Sequence, residues 1–75
     1  MKKVVIKLKE IKDVYDFVAA VTKYPGDIDI VSGRYRVNAK SVMGIFALDL
    51  TQPLDLEIFG DAPDEAVESL KNFII

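Results

Sequence analysis

The sequence predicts an α+β fold, an open-faced sandwich in which a four-stranded antiparallel sheet carries three helices on one face. Some stretches alternate apolar and polar residues, and others repeat apolar residues every three or four positions. A tight-turn signal joins two of the alternating stretches. The predicted order is strand, helix, hairpin, short helix, strand, helix. At 75 residues, the chain is predicted to form a single domain, 1–75, with one core.

The first strand and first helix differ in the period of their apolar residues. Residues 3–9 alternate after Val4, which predicts a half-buried strand with lysines on its solvent face. Residues 10–24 follow a helical period, with Asp13 as the predicted N-cap and Pro25 and Gly26 ending the helix. The apolar stripe of this helix consists of Val14, Phe17, Val18 and Val21.

A hairpin and a short helix follow. Residues 27–31 and 34–38 are predicted strands, and Ser32-Gly33 is the turn between them. The next predicted helix covers residues 41–48 and is apolar on nearly every side.

The last predicted elements are a strand and a helix. The strand opens at Pro53 and stops at Gly60, with leucines and an isoleucine on its inner side. Asp61 is the predicted cap of the final helix, and Pro63 lies in its first turn. The predicted buried stripe of that helix is Val67, Leu70, Phe73 and Ile74.

Composition excludes several classes of function. The chain has no His and no Cys, so the usual ligands of zinc, copper and iron are missing, and no histidine base can activate a serine nucleophile. We therefore expect no enzyme, no metal and no cofactor. A net charge of −2 without a basic run disfavours nucleic acid. No stretch approaches the length of a membrane span, and the absence of Cys suits the cytoplasm.

Ser41 admits two interpretations. At an N-cap, its hydroxyl accepts a hydrogen bond from a free backbone N–H, which stabilises the helix by about 1 kcal/mol. A phosphate on the same oxygen would face unpaired amides and the positive end of the helix, with Lys40 adjacent. Most N-cap serines are only caps, so the residue type alone does not decide between the two.

The helix after Ser41 is the candidate binding surface. A helix that is apolar all round is either buried or carries a binding face. Ile45 and Leu48 share one side, and the opposite side is predicted to contact a protein partner. The residues on that side are Val42, Met43 and Phe46. The alternative is that Phe46 folds under the rest of the chain. Gly44 in the middle of the helix indicates a close approach by a partner or by neighbouring backbone.

The segment 37–48, VNAKSVMGIFAL, closely resembles the regulatory-serine segment of HPr proteins, the histidine-containing phosphocarriers of the bacterial sugar phosphotransferase system. The similarity extends over nearly the whole chain, including residues 50–52, the strand up to Gly60, residues 64–70 and the apolar positions of the first helix. The resemblance implies the HPr fold, which agrees with the element order derived above.

The resemblance also implies which activity is lost and which is retained. In HPr proteins, a histidine at the start of the first helix carries phosphate. The matching segment 8–14 is shortened here and lacks both the Gly-x-His turn and the Arg-Pro pair. In Gram-positive HPr proteins, a dedicated kinase phosphorylates the serine that matches Ser41. The phosphorylated form then binds a transcriptional regulator of carbon catabolism. That surface corresponds here to Lys40, Ser41, Val42, Met43 and Phe46.

Two hypotheses follow from these observations. In the first, the protein is regulatory, Ser41 is phosphorylated and the short helix binds a partner. In the second, it is a diverged adaptor that binds an unrelated protein without phosphorylation, which the reshaped 9–13 turn favours. The sequence names neither the partner nor the oligomeric state.

Overall fold

The computed structural model describes residues 1–75 and contains one four-stranded antiparallel sheet and three helices. The strands are β1 (Lys2–Ile6), β2 (Ile28–Ser32), β3 (Tyr35–Asn38) and β4 (Leu54–Ile58). The helices are α1 (Ile11–Thr22), α2 (Val42–Phe46) and α3 (Pro63–Ser69). The predicted α+β class and the predicted order of elements are confirmed. No helix has both the length and the apolar character needed to cross a bilayer.

The strands lie in the order β1-β4-β2-β3, and every neighbouring pair is antiparallel. Because side chains alternate between the two faces, the register decides which residues meet the helices. One row across the sheet runs Val4, Leu56, Ile30 and Val37 on the helix-covered face. The next row runs Lys3, Glu57, Asp29 and Asn38 on the open face.

The core lies between the sheet and the helices, and none of its buried side chains is polar or charged. The sheet contributes Ile6, Ile28, Ile30, Leu54, Leu56 and Ile58, and the helices contribute Val14, Phe17, Val21, Ile45 and Ala66. Removing a branched aliphatic or aromatic side chain from water stabilises the fold by roughly 1.5–3 kcal/mol. This interior therefore holds a short chain together without disulfides.

On the open face, the charges compensate one another. Arg36 on the edge strand lies 2.8 Å from Glu57 and 3.0 Å from Asp29, and Lys3 lies 4.0 Å from Glu57. Hydrogen bonds to Glu57 first, and then to Asp29, raise the pKa of Arg36. Asp29 thus forms part of a charge network on the open face.

The caps predicted for α1 and α3 are wrong, although both acids lie near helix starts. α1 begins after Glu10, and Asp13 is the third residue of the helix rather than its N-cap. Its carboxylate reaches back to accept hydrogen bonds from the Lys9 N–H at 2.9 Å and the Glu10 N–H at 3.1 Å. The cap of α3 is Ala62 instead of Asp61, and Pro63 opens the first turn as predicted.

The chain after α3 is not helical, which corrects the predicted final stripe. α3 ends at Ser69, and Ile74 forms an antiparallel bridge with Ile6. The Lys7 N–H donates to the Phe73 carbonyl at 2.9 Å. β1 also ends at Ile6, earlier than predicted. The Phe73 ring packs edge-on against Phe17 with 5.7 Å between ring centroids, so this segment completes the core next to β1.

Candidate functional site

Ser41 begins α2, and its hydroxyl acts as a helix cap. The residue has extended backbone angles, φ −100° and ψ 107°, and its Oγ accepts a hydrogen bond from the Gly44 N–H at 3.1 Å. α2 is shorter than predicted, covering Val42–Phe46. A Cβ on Gly44 would lie 3.2 Å from Ser41 Oγ and 3.3 Å from Val37 Cβ. The close approach at Gly44 is thus made by the chain itself.

The Lys40 side chain contacts the end of α1. Its Nζ donates a hydrogen bond to the carbonyl of Tyr24 at 2.9 Å, just beyond the end of α1. Its backbone N–H donates to Asn38 Oδ1 at 2.8 Å, which fixes the turn between β3 and α2. The structure therefore places the Lys40 ammonium at the C-terminal end of α1, where cations interact favourably with free carbonyls.

Exposed apolar side chains from α1 and α2 form one continuous surface. Met43 is 84% exposed and Phe46 40%, while Tyr15 and Ile11 on α1 are 56% and 67% exposed. The rings of Phe46 and Tyr15 meet edge-to-face with 6.0 Å between centroids. Within each helix, the two residues are spaced three or four apart and so lie on the same side. We call these four residues the α1–α2 patch.

The other predicted residues of α2 have different positions. Val42 is half-buried, next to Ser41, while Ile45 and Leu48 face the core. The structure thus brings Ser41, Val42, Met43 and Phe46 together on one short segment and places the Lys40 ammonium elsewhere. Phe46 does not fold under the chain, because its ring rests against Tyr15 at the surface.

Ile11 and Tyr15 were not identified from the sequence. Both lie outside the helical stripe that predicted the buried side of α1, and both are large and apolar. Two large apolar residues four positions apart on the solvent-facing side of a helix indicate a binding surface, because soluble proteins rarely group large apolar side chains on their surface. This spacing can be seen in the sequence.

The start of α1 holds no imidazole and is stabilised by its own acids. Asp13 accepts the N–H groups of Lys9 and Glu10, as described above. Lys12 lies one turn from Asp16, with 2.7 Å between Nζ and Oδ2. The hydrogen bond to Asp16 is the main cause of the raised pKa of Lys12.

An open cleft of about 620 Å³ lies between the 7–11 segment and the 48–51 loop. The Lys7 ammonium donates to the carbonyls of Leu50 and Thr51, and the Asp49 carboxylate accepts from the N–H of Thr51 at 3.0 Å. Hydrogen bonds from Thr51 lower the pKa of Asp49. The Lys7 and Asp49 side chains thus stabilise the conformation of the 48–51 loop. Nowhere in the chain do three or more potential metal-ligating side chains come together.

The chain matches the protein family described as "PTS HPr component phosphorylation site" over residues 12–75. Solved structures agree with this match. A crystal structure of HPr-C-His from Thermoanaerobacter tengcongensis superposes with a TM-score of 0.83 and 32% identity, covering 96% of this chain and 89% of that one. The phosphocarrier protein HPr from Bacillus anthracis str. Ames gives a TM-score of 0.76 and 28% identity, covering 99% and 94%.

A more distant structure shares the fold alone. The histidine-containing phosphocarrier protein of Mycoplasma superposes with a TM-score of 0.79 at 17% identity, covering 95% of this chain and 89% of that one. The family match spans most of the sequence, and the helices and strands that build the site fall almost entirely within it. The chain therefore belongs to the PTS-HPr family, the HPr proteins of the phosphotransferase system.

Proposed function

We propose that this chain is a regulatory, protein-binding member of the HPr family that does not carry phosphate on histidine. Phosphohistidine requires an imidazole, and the sequence contains no histidine. The observation that carries the proposal is the α1–α2 patch next to the Ser41 hydroxyl. The protein acts in the cytoplasm by binding other proteins rather than by catalysis.

The proposed docking surface is the α1–α2 patch extended by Val42. Its aromatic pair offers a rigid apolar area, and Met43 is flexible enough to adapt to a partner's shape. Lys40 joins this surface only when its ammonium leaves the Tyr24 carbonyl. The candidate partners are an HPr-type kinase and a transcriptional regulator of carbon catabolism.

Ser41 is the proposed phosphorylation site. Its side chain is partly exposed and its oxygen caps α2 directly beside the patch. A phosphate adds close to two negative charges at that point and three strong acceptor oxygens. Modification would thus change the charge of the docking surface while leaving its apolar side chains in place.

Incubation with ATP and an HPr kinase tests the modification. We expect the intact mass to rise by one phosphate, and Ser41→Asn to abolish the increase. Asn is the preferred control because it retains helix capping, whereas Ala removes it. If ordinary HPr is modified and this protein is not under the same conditions, the regulatory hypothesis fails.

The alternative is an adaptor that binds a partner without phosphorylation. It is favoured by the structural role that the Ser41 hydroxyl already has as a cap, and by the position of the Lys40 ammonium. Here Phe46→Asp should abolish partner capture from the native lysate, and Ser41→Asn should leave it unchanged. The matched control is Tyr35→Asp, because Tyr35 is an aromatic residue that is 68% exposed on β3, outside the patch. Loss of capture in Ser41→Asn would contradict the adaptor hypothesis.

A further inference from the structure

We propose that Lys40 is a clasp that holds the end of α1 while Ser41 is unmodified and releases it when Ser41 carries phosphate. The inference rests on the proposed phosphorylation of Ser41 and adds its structural consequence. It links the start of α2 to a position sixteen residues away in sequence.

The clasp is a single hydrogen bond between distant parts of the chain. Lys40 Nζ donates to the Tyr24 carbonyl at 2.9 Å, and this contact is partly buried. None of the ion pairs in the protein involves Lys40. The ammonium is thus held by a neutral acceptor, with no carboxylate to compete for it.

A phosphate on the neighbouring residue is a stronger acceptor than this carbonyl. The bond from the Lys40 ammonium to Tyr24 already has an ionised donor, and a phosphate would add an ionised acceptor, so attraction between opposite charges is added to the hydrogen bond. Phosphoserine brings about two negative charges and three acceptor oxygens. The lysine side chain has a flexible four-carbon stem, so its ammonium can move between acceptors without a change in the backbone. The ammonium therefore moves from Tyr24 to the phosphate on Ser41.

Loss of the Lys40 hydrogen bond affects the end of α1 but leaves the Tyr24 side chain in place. The Tyr24 side chain is 7% exposed, and its hydroxyl donates to the Phe59 carbonyl. Its ring packs so closely on Gly26 that a Cβ there would lie 2.7 Å from a ring atom. The last backbone bonds of α1 run from the Lys23 N–H to Ala20 at 3.3 Å and from the Tyr24 N–H to Val21 at 3.1 Å. We expect these two amides to exchange faster once the clasp opens.

The carbonyl of Tyr24 can be observed selectively. The chain has three tyrosines, and only Tyr24 precedes a proline. Labelling with 1-¹³C-tyrosine and ¹⁵N-proline therefore splits one carbonyl signal by coupling to nitrogen. Phosphoserine is installed at position 41 by genetic-code expansion, so no kinase is needed. We expect the Tyr24 carbonyl to shift upfield on phosphorylation, to the position that Lys40→Met gives without phosphate.

Controls separate the clasp from general charge effects. Lys23→Met removes a neighbouring exposed lysine that forms no ion pair, and it should leave the phosphate-induced shift intact. In Lys40→Met, phosphorylation should move the Tyr24 carbonyl no further. Lys40→Gln serves if Lys40→Met does not fold. The proposal is overturned if phosphorylation of the wild-type chain leaves the Tyr24 signal unchanged, or if the unphosphorylated Lys40→Met and Lys40→Gln variants give the wild-type Tyr24 signal. Neither result depends on a kinase or on partner binding, so failure of the clasp can be distinguished from failure of the proposed function.

Discussion

Three substitutions at Ser41 separate helix capping from regulation. Ser41→Ala removes the acceptor of the Gly44 N–H, which is bonded at 3.1 Å in a partly buried position. Loss of an N-cap of this kind costs about 1 kcal/mol, with a range of roughly 0.5–2 kcal/mol. In Ser41→Ala, water only partly replaces the lost acceptor of the partly buried Gly44 N–H, so we expect a cost in the middle of that range. For a domain of this size, about 1 kcal/mol lowers Tm by about 4–8 °C.

Asn and Asp should behave differently from Ala. Both are good N-caps, so Ser41→Asn should unfold close to the wild-type temperature. Ser41→Asp should match or exceed it, because a carboxylate near a helix N-terminus adds about 0.3–1 kcal/mol at low ionic strength. Thermal and urea unfolding followed by circular dichroism measure the series. The hydroxyl does not stabilise α2 as described if Ser41→Ala has the same Tm as the wild type. The same conclusion follows if the Tm of Ser41→Asn is lowered as much as that of Ser41→Ala.

Three further predictions test the fold. Gly60 has a φ of 104° and a Cβ there would lie 2.7 Å from the Tyr24 hydroxyl, whereas Gly33 has a φ of 59° and open space. Gly33→Asn should therefore cost little in urea unfolding and Gly60→Asn clearly more, and equal costs would contradict the turn geometry. Phe17→Ala should destabilise by about 3–5 kcal/mol in the same assay, and Tyr15→Ala by only about 0.5–1.5 kcal/mol, because only the first ring is buried. The lowered pKa of Asp49 means that its stabilising effect is complete above its ordinary value of 3.8 and is lost as the pH falls through its folded value. Asp49→Asn should remove that part of the acid dependence of Tm, and an unchanged profile would refute it.

Local pattern predicted most of the fold because periodicity records which side of each element is buried. The alternation around Leu56 and the helical stripe around Phe17 placed the correct residues inside. Contacts between distant segments could not be found in this way. Ile74 looked helical in sequence, yet it bridges to Ile6 across the chain. The predicted cap of α1 was wrong because Asp13 can bond the first N–H groups either from the cap position or from the third helical position.

Only the local features of the candidate site could be predicted, because contacts between distant segments leave no pattern along the sequence. The serine at the start of α2 and the exposure of Met43 follow from local order along one helix. The contact between Tyr15 and Phe46 depends on how α1 and α2 pack, and the position of the Lys40 ammonium depends on where α1 ends. Neither is recorded in the spacing of residues along a single segment.

The two helix starts differ in a way that bears on where a phosphate is tolerated. At α1, the carboxylate of Asp13 already accepts two backbone N–H groups, so a second anion there meets like-charge repulsion. At α2, the cap is the neutral hydroxyl of Ser41, and no acidic residue lies in the first turn. A negative charge added at α2 therefore interacts with the positive end of the helix without an opposing carboxylate. This asymmetry favours Ser41 over the start of α1 as the position of the proposed phosphorylation.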